Sequence, residues 1–327
     1  MPTTQRFDVS KTFGVQAPRG LEIEGFADDT HPHVPPVQPY VFRQGLNAVL
    51  AFLRDAGGDA LLLTGPTGCG KTSLIRQVAA RLYWPVQEVT CHGRLEFADL
   101  LGGFQLIQGE TRFVHGPLAV AAREGHLLIV NEIDLMDPAE LAGLNDIVEG
   151  APLVIAQNGG EVIQPDRKFR VIATGNSAGS GDASGLYQGV LRQNLAFLDR
   201  FRVLAVAYPD PESELSLLDQ LVPGLPTEIA RKLVVVANEV RRLFLGESGS
   251  APGADLATGN AGGELTVTLS TRTLVRWARL TVTFKGAPNP LAYALDHALT
   301  ARAPAEERTA IHRIAADVLG PLWSGQP

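Results

Sequence analysis

Apolar residues along the chain follow two patterns. In the first half, short runs rich in apolar residues recur: Ala60–Thr64, Pro85–Thr90, Leu127–Val130, Phe169–Thr174 and Val203–Ala207. Each predicts a strand, a buried one at Ala60–Thr64, and Leu127–Val130 is apolar throughout. Between them the spacing changes to every third or fourth residue. Leu46, Val49, Leu50 and Leu53 predict a helix over 43–56, and Leu74, Ile75, Val78 and Leu82 predict one over 73–82. Strands alternating with helices imply βαβ units and a parallel sheet, an α/β fold. Two segments break the alternation. Phe104–Ile107 and Thr111–Val114 flank Gln108-Gly109-Glu110, and Leu153–Ala156 and Glu161–Ile163 flank Gln157-Asn158-Gly159-Gly160. Both read as β-hairpins, too short to be stable unless they project from a scaffold.

From Pro209 onward the helical spacing takes over, predicting helices over 211–221, 227–245, 271–285, 290–302 and 305–318. The stretch 246–263 is rich in Gly, Ala and Ser and reads as a flexible loop. Residues 1–42 carry the proline-dense HPHVPPVQPY at 31–40, which opposes helix and favours an extended arm. The expected plan is therefore an arm over 1–42, an α/β core over 43–208 and a small all-α domain over 209–327.

Composition narrows the function classes only modestly. Of 327 residues 45% are hydrophobic and 19% charged, and the net charge is −7, so a broad phosphate-binding surface for nucleic acid is disfavoured. No apolar run reaches the roughly 18 residues of a membrane-spanning helix, and residues 1–14 lack a signal-peptide core. Cys69 and Cys91 are the only cysteines, with no metal-ligand spacing. A reduced, cytoplasmic protein is expected. The histidines, among them His92, His115 and His126, show no metal spacing and are read as structural, with His92 beside a strand near the glycine loop the one to watch.

The chemistry begins where the first strand ends. Gly65-Pro66-Thr67-Gly68-Cys69-Gly70-Lys71-Thr72 matches G-x-x-x-x-G-K-[ST] at every fixed position, between a strand and a helix that opens at Ser73. Glycines there let successive backbone N–H groups turn toward phosphate oxygens, and the helix N-terminus adds a favourable dipole. ATP with Mg²⁺ is the expected ligand, Lys71 reaching the β- and γ-phosphates and the Thr72 hydroxyl ligating the metal. The third strand ends Asn131-Glu132-Ile133-Asp134. Glu132 stands where a base polarises the attacking water, the alternative being a surface carboxylate at a strand end. Asn131 takes the metal-side position usually held by an aspartate and brings no charge to it. Asp134 is expected to be a supporting or solvated carboxylate. Asn176, at the tip of the fourth strand, fits a residue that holds the water and senses the γ-phosphate, or else a cap. Arg200, preferred to Arg202, fits a cation lent to a neighbouring protomer's site, or else a salt bridge. Arg272, in the first turn of a C-terminal helix, fits either a γ-phosphate contact or a salt bridge in that domain.

Taken in order, GPTGCGKTS, LLIVNEID, the two hairpins, ATGN and FLDRF resemble the MoxR-type AAA+ ATPases. The P-loop and TCHGRLEFADLLGG look like the CbbQ/NorQ branch. FGVQAPRGLEIEGF, HPHVPPVQPYVF, GNSAGSGDASGLYQGVLRQNLAFLDRF and LTVTLSTRTLVRWA look like CobS, the ATPase subunit of aerobic cobaltochelatase. The resemblance spans about residues 12–300. It implies an AAA+ P-loop NTPase core with an all-α lid, hexameric rings with ATP at each subunit boundary, and a partner carrying a von Willebrand A domain. It further implies ATP-driven remodelling of, or metal loading into, a client protein. An ATP-binding scaffold with weak hydrolysis, owing to Asn131, is the alternative. A nucleic-acid motor is disfavoured because neither hairpin tip carries Lys or Arg.

Overall fold

The computed structural model describes residues 3–42, 45–177, 189–246 and 265–324. Arg43 and Gln44, the GLYQG segment and nearly all of the 246–263 loop lie outside the described residues. The chain divides into two compact units: Met1–Pro66 with Gly70–Val206, and Thr67–Cys69 with Ala207–Pro327.

In the first unit, β1 (Thr4–Asp8), α1 (Val9–Phe13), β2 (Glu22–Phe26) and α2 (Leu46–Arg54) precede the first core strand, β3 (Ala60–Thr64). There follow α3 (Lys71–Arg81), β4 (Val86–Thr90), α4 (Phe97–Leu101), β5 (Gly102–Ile107), β6 (Glu110–His115) and α5 (Pro117–Glu124). Next come β7 (Leu127–Asn131), α6 (Pro138–Leu141), α7 (Asn145–Val148), β8 (Leu153–Ile155), β9 (Glu161–Ile163), β10 (Arg170–Gly175), α8 (Leu195–Leu198) and β11 (Phe201–Ala205). The five core strands pair in parallel in the order β11-β3-β10-β7-β4.

The apolarity of the central strands β3 and β7 has a direct cause. Alternate side chains of one strand enter two different cores, because successive Cβ atoms point to opposite faces. Leu61 and Leu63 pack on one face with Val49, Leu53, Leu74 and Val78. Leu62 packs on the other with Leu118, Ala122, Leu144 and Phe197. Leu127 and Ile129 divide from Leu128 and Val130 in the same way. A face turned to water would have required polar residues at every second position.

The arm differs from the extended chain expected of it. β1 and β2 pair antiparallel, and Asp8 caps the short α1 by accepting from the Lys11 N–H. Val9, Phe13, Ile23 and Phe26 are buried in the same core as α2 and α3. The dense prolines lie at 31–40, and Pro18 falls between α1 and β2, so the paired strands themselves carry none. Beyond them Gln77 of α3 accepts from the Gln38 N–H at 2.8 Å and donates to Pro36 O at 3.2 Å, fastening the arm to the P-loop helix.

Both hairpins form, β5 with β6 and β8 with β9. Gln108 and Gly109 both take positive φ, 53° and 85°, the tight two-residue turn that suits the twist of paired strands. Phe104 is 60% exposed and Leu106 77%, and Val154 and Val162 of the other hairpin are also exposed.

The second unit is helical among its described residues: α9 (Pro211–Leu221), α10 (Thr227–Phe244), α11 (Thr271–Thr283), α12 (Pro290–Ala298) and α13 (Ala305–Leu319). Asp210, Ser270 and Asn289 cap α9, α11 and α12 through their side chains. The expected helix over 290–302 stops at Ala298 and gives way to a 3₁₀ turn at Thr300–Arg302. Trp277 is fully buried and donates to Leu291 O at 2.9 Å, so its packing leaves no N–H unsatisfied. Glu214 and Arg241 form a two-bond ion pair at 2.8 Å inside this unit, and Arg241 also donates to Leu269 O.

Candidate active site

In the parallel register Thr64 lies beside Gly175 and Ala205, and Asn131 beside Thr90. The C-terminal ends of β3, β7 and β10 therefore converge on one edge of the sheet, where ligands of open α/β sheets bind. The glycine loop leaves β3 at this edge. Gly65, Gly68 and Gly70 have φ of 149°, 69° and 103°, left-handed values that a side chain at these positions would strain. Gly70 is the N-cap of α3, so the helix begins at Lys71 and its first N–H groups have no partner within the helix. Ser73 is exposed in that first turn.

Lys71 is 7% exposed. Its Nζ donates to Gly65 O at 2.6 Å, to Pro66 O at 3.2 Å and to Asn176 Oδ1 at 3.1 Å. Asn176 in turn donates through Nδ2 to Glu132 Oε2 at 2.8 Å. One asparagine thus joins the phosphate-loop lysine to the candidate base. Glu132 itself has φ 54° and ψ 45°, a left-handed conformation rare for a residue with a side chain and characteristic of sites where geometry is imposed from outside. Its N–H donates to Thr174 Oγ1 at 3.3 Å.

The metal-side arrangement is a second chain of bonds. Thr72 Oγ1 donates to Asn131 Oδ1 at 2.7 Å, Thr174 Oγ1 donates to the same oxygen at 3.1 Å, and Asn131 Nδ2 donates to Glu88 Oε1 at 2.7 Å. The carboxylate can only accept, which settles which way the Asn131 amide faces. Glu88, on the neighbouring strand β4, therefore supplies the negative charge that Asn131 lacks, one residue further back. Hard oxygen donors on Thr72 and Asn131 with a carboxylate behind them suit Mg²⁺, which keeps most of its own waters.

Of the two readings of Asp134, the structure matches the supporting one: it is 1% exposed, not solvated. Burial pushes its carboxyl above the usual range, against the backbone N–H groups of Ser177 and Asn176 and the Lys71 charge. Its Oδ2 accepts from Asn176 N at 2.8 Å and Ser177 N at 3.0 Å, so it sets where the tip of β10 points. Glu88 and Thr174 are the neighbours of the site that motif reading left out. Glu88 had a faint signal, as a charged residue inside the strand VQEVT.

Other predicted residues sit elsewhere. Arg200 directly precedes β11, at the N-terminal end of the sheet, opposite the P-loop edge. It pairs with Glu149 at 2.6 Å. Arg202 is committed to its own subunit: it pairs with Asp59 at 2.7 Å and donates to Asp55 O and Ala56 O just past α2. Arg272 is exposed in the first turn of α11 and belongs to the helical unit. Thr67, Gly68 and Cys69 group with that unit as well, and Cys69 is buried there. His92 is exposed, its Nδ1 accepting from Arg94 N at 3.3 Å.

Comparison with known proteins agrees with this geometry. Residues 60–201 match the AAA domain of the dynein-related subfamily, and residues 214–318 match the CbbQ/NirQ/NorQ C-terminal region. The aerobic cobaltochelatase subunit CobS of a Sinorhizobium species is 29% identical over 75% of this chain and 72% of its own length. Protein NorQ of Paracoccus denitrificans is 29% identical over 86% of this chain and 94% of its own. YojN of Bacillus subtilis is 30% identical over 58% and 63%. A P-loop at the C-terminal edge of a five-stranded parallel sheet, a lysine–asparagine–glutamate chain across that edge and two matched regions over most of the sequence lead to one assignment: the chain belongs to the AAA+ ATPases of the MoxR type, with CobS and NorQ among its relatives.

Proposed function

We propose that this ATPase works as one subunit of a ring, hydrolysing Mg²⁺-ATP between protomers to remodel, or load metal into, a partner protein. The observation that carries the reading is the Lys71–Asn176–Glu132 chain, which couples the phosphate-binding cation to the group that activates water. Thr72 and Asn131 are assigned to the metal side, where bound Mg²⁺ would supply charge neutralisation for the transferred phosphoryl group. Gly65, Thr67, Gly68, Cys69, Gly70 and Ser73 would offer the polyphosphate their backbone N–H groups, Pro66, which has none, would shape the turn, and Arg272 is assigned to the γ-phosphate.

The ring supplies what one chain lacks. Arg200 stands at the sheet edge opposite its own P-loop, with its side chain 29% exposed, which supports a guanidinium lent to a neighbour's site. The exposed apolar residues of the two hairpins would meet the client or a von Willebrand A partner, as an apolar patch on a projecting element does. Work in the cytoplasm fits a chain whose two cysteines are both buried thiols. The relation to CobS makes a metal-inserting enzyme the first client class to test.

The decisive experiment mixes two inactive variants, Arg200→Ala and Glu132→Gln, under conditions of subunit exchange. Hybrid interfaces that pair an intact Arg200 with an intact Glu132 should regain a fraction of the ATPase activity. Absence of any recovery would remove the arginine in trans from the reading. A second reading, an ATP-binding scaffold that turns over slowly, rests on the neutral Asn131. It would be favoured by tight ATP binding with no measurable turnover in the assembled ring.

A further inference from the structure

At the opposite edge of the sheet from the P-loop, the fold gathers histidines that the sequence keeps far apart. His126 immediately precedes β7 and Glu124 ends α5, while His31 and His33 come from the proline-rich arm. The arm is held there by the Val86 N–H donating to His33 O at 2.9 Å. One ligand atom each of His31, Glu124 and His126 lies within 4.8 Å of the others. The His31 and His126 rings meet edge-on with centroids 5.1 Å apart, and the His33 ring is 5.7 Å from His31 and 6.0 Å from His126. The group borders a cleft of about 550 Å³ that Asp28 and Asp166 also line.

We propose that His31, Glu124 and His126 form a metal site for a zinc-type divalent ion that clips the N-terminal arm to the sheet. The donor set decides the class of ion. Two imidazoles and a carboxylate suit zinc and its borderline neighbours and do not suit magnesium or calcium, which prefer oxygen. Three protein ligands leave a position for water or for the exposed His33. Ligand atoms around a zinc ion stand about 3.3–3.6 Å apart, given bonds of about 2.0–2.2 Å. The cluster therefore has to contract by about an ångström, a movement within reach of the exposed Glu124 and half-buried His31 side chains.

The surroundings favour ligation over a purely structural cluster. His126 is 2% exposed and lines the cleft beside His31 and Glu124. Its Nε2 already lies 3.3 Å from Glu124 Oε2. Its Nδ1 is 3.2 Å from the Gln87 side-chain amide. With that amide turned over, Gln87 Oε1 accepts from Nδ1–H, the supporting bond that metal-bound histidines usually make, and Nε2 is freed toward the ion. His31 exchanges one contact: its Nδ1 accepts from His33 N at 3.2 Å, and ligation through either ring nitrogen gives that up. Charge also fits, since a dication relieves the proximity of Glu124, Asp28 and Asp166, while Arg123 is already paired with Glu161 at 2.6 Å.

The test uses the full chain without an affinity tag, stripped of metal and free of nucleotide, in excess Mg²⁺. Zinc is titrated by equilibrium dialysis, and Co²⁺ is used as a visible-absorbing substitute. The wild type should take up one zinc per chain, give an intense low-coordinate Co²⁺ spectrum, and melt several degrees higher with zinc. His31→Ala and Glu124→Gln, both at accessible side chains, should each weaken zinc binding by about tenfold or more and leave MgATP binding unchanged. Equal zinc uptake by wild type and the His31→Ala/Glu124→Gln double variant overturns the proposal. So does loss of zinc binding in Lys71→Ala, which would put the ion at the P-loop. Because ATP binding and zinc binding are read separately, failure here leaves the ATPase reading untouched.

Discussion

Restoring an aspartate at Asn131 would look like a repair of the metal site, yet the structure predicts damage. Asn131 Nδ2 donates to Glu88 Oε1 at 2.7 Å. In Asn131→Asp that donor becomes a second carboxylate oxygen. Two unit charges about 4 Å apart at an effective permittivity of about 20 repel by about 4 kcal/mol. Protonating one of them at pH 7 costs about the same, three pH units above an ordinary carboxyl pKa, so the variant has no easier escape. The Glu88 side chain is 31% exposed and lies 3.6 Å from Arg76, and this screening brings the expected loss to about 2 kcal/mol. For a unit of this size that lowers the melting temperature by about 4–8 °C. The assay is thermal unfolding in Mg²⁺-free buffer of wild type, Asn131→Asp, Glu88→Gln and the double variant. The double variant regains a donor opposite the new carboxylate and should recover most of the loss, giving a coupling energy of about 2 kcal/mol. Mg²⁺-nucleotide should narrow the deficit of the single variant. An Asn131→Asp protein as stable as wild type without Mg²⁺, or one indifferent to Glu88→Gln, would refute the role given to Glu88.

Further predictions rest on the buried polar groups. Arg241→Met strands the Glu214 carboxylate, whose side chain is 0% exposed, and should destabilise the helical unit by about 3–5 kcal/mol in chemical denaturation. Burial, then the Asp134 and Glu132 charges, push the Cys91 thiol up to about 12. Iodoacetamide at pH 8 should therefore leave Cys91 unmodified in the native protein and label it only in denaturant; prompt native labelling would contradict its placement.

The central strands β3 and β7 were the most legible because both are covered on both faces, which leaves a run of apolar residues, whereas the edge strands β4 and β11 carry polar residues and exposed positions. The P-loop was legible because phosphate binding by backbone demands glycines at fixed positions. The helix starts expected at 211, 271 and 290 from apolar spacing coincide with side-chain caps at Asp210, Ser270 and Asn289. Features that depend on partners distant in sequence were hidden. β1 and β2 bury only some of their residues and gave no clean alternation. α5 follows a hairpin and reads PLAVAARE, too short for a periodic signal. Glu88 acquires its meaning from Asn131 across a strand pair. His31 and His126 have no sequence relation at all; the arm folding back along β4 makes them neighbours.

Asn176 is the residue whose bonds nucleotide binding must rearrange. Lys71 now spends its three N–H bonds on Gly65 O, Pro66 O and Asn176 Oδ1. Phosphate oxygens compete for the same donors, and bonds between ionised groups are about twice as strong as those to neutral oxygens. Asn176 then loses its lysine partner while its Nδ2 still holds Glu132 at 2.8 Å. A γ-phosphate that attracts that Nδ2 frees the carboxylate to take a proton from water, so one amide makes activation of the base conditional on the triphosphate. Asn176→Ala should accordingly leave ATP affinity within about threefold, since Lys71 and the loop remain. It should lower kcat by about a hundredfold, the scale of losing a positioned base. The difference between ATP and ADP in their effect on the environment of Glu132, followed by isotope-edited infrared absorption of the carboxylate, should vanish in the variant. A variant that binds ATP poorly but turns over at the wild-type rate when saturated would show that Asn176 grips nucleotide only and has no part in timing the base.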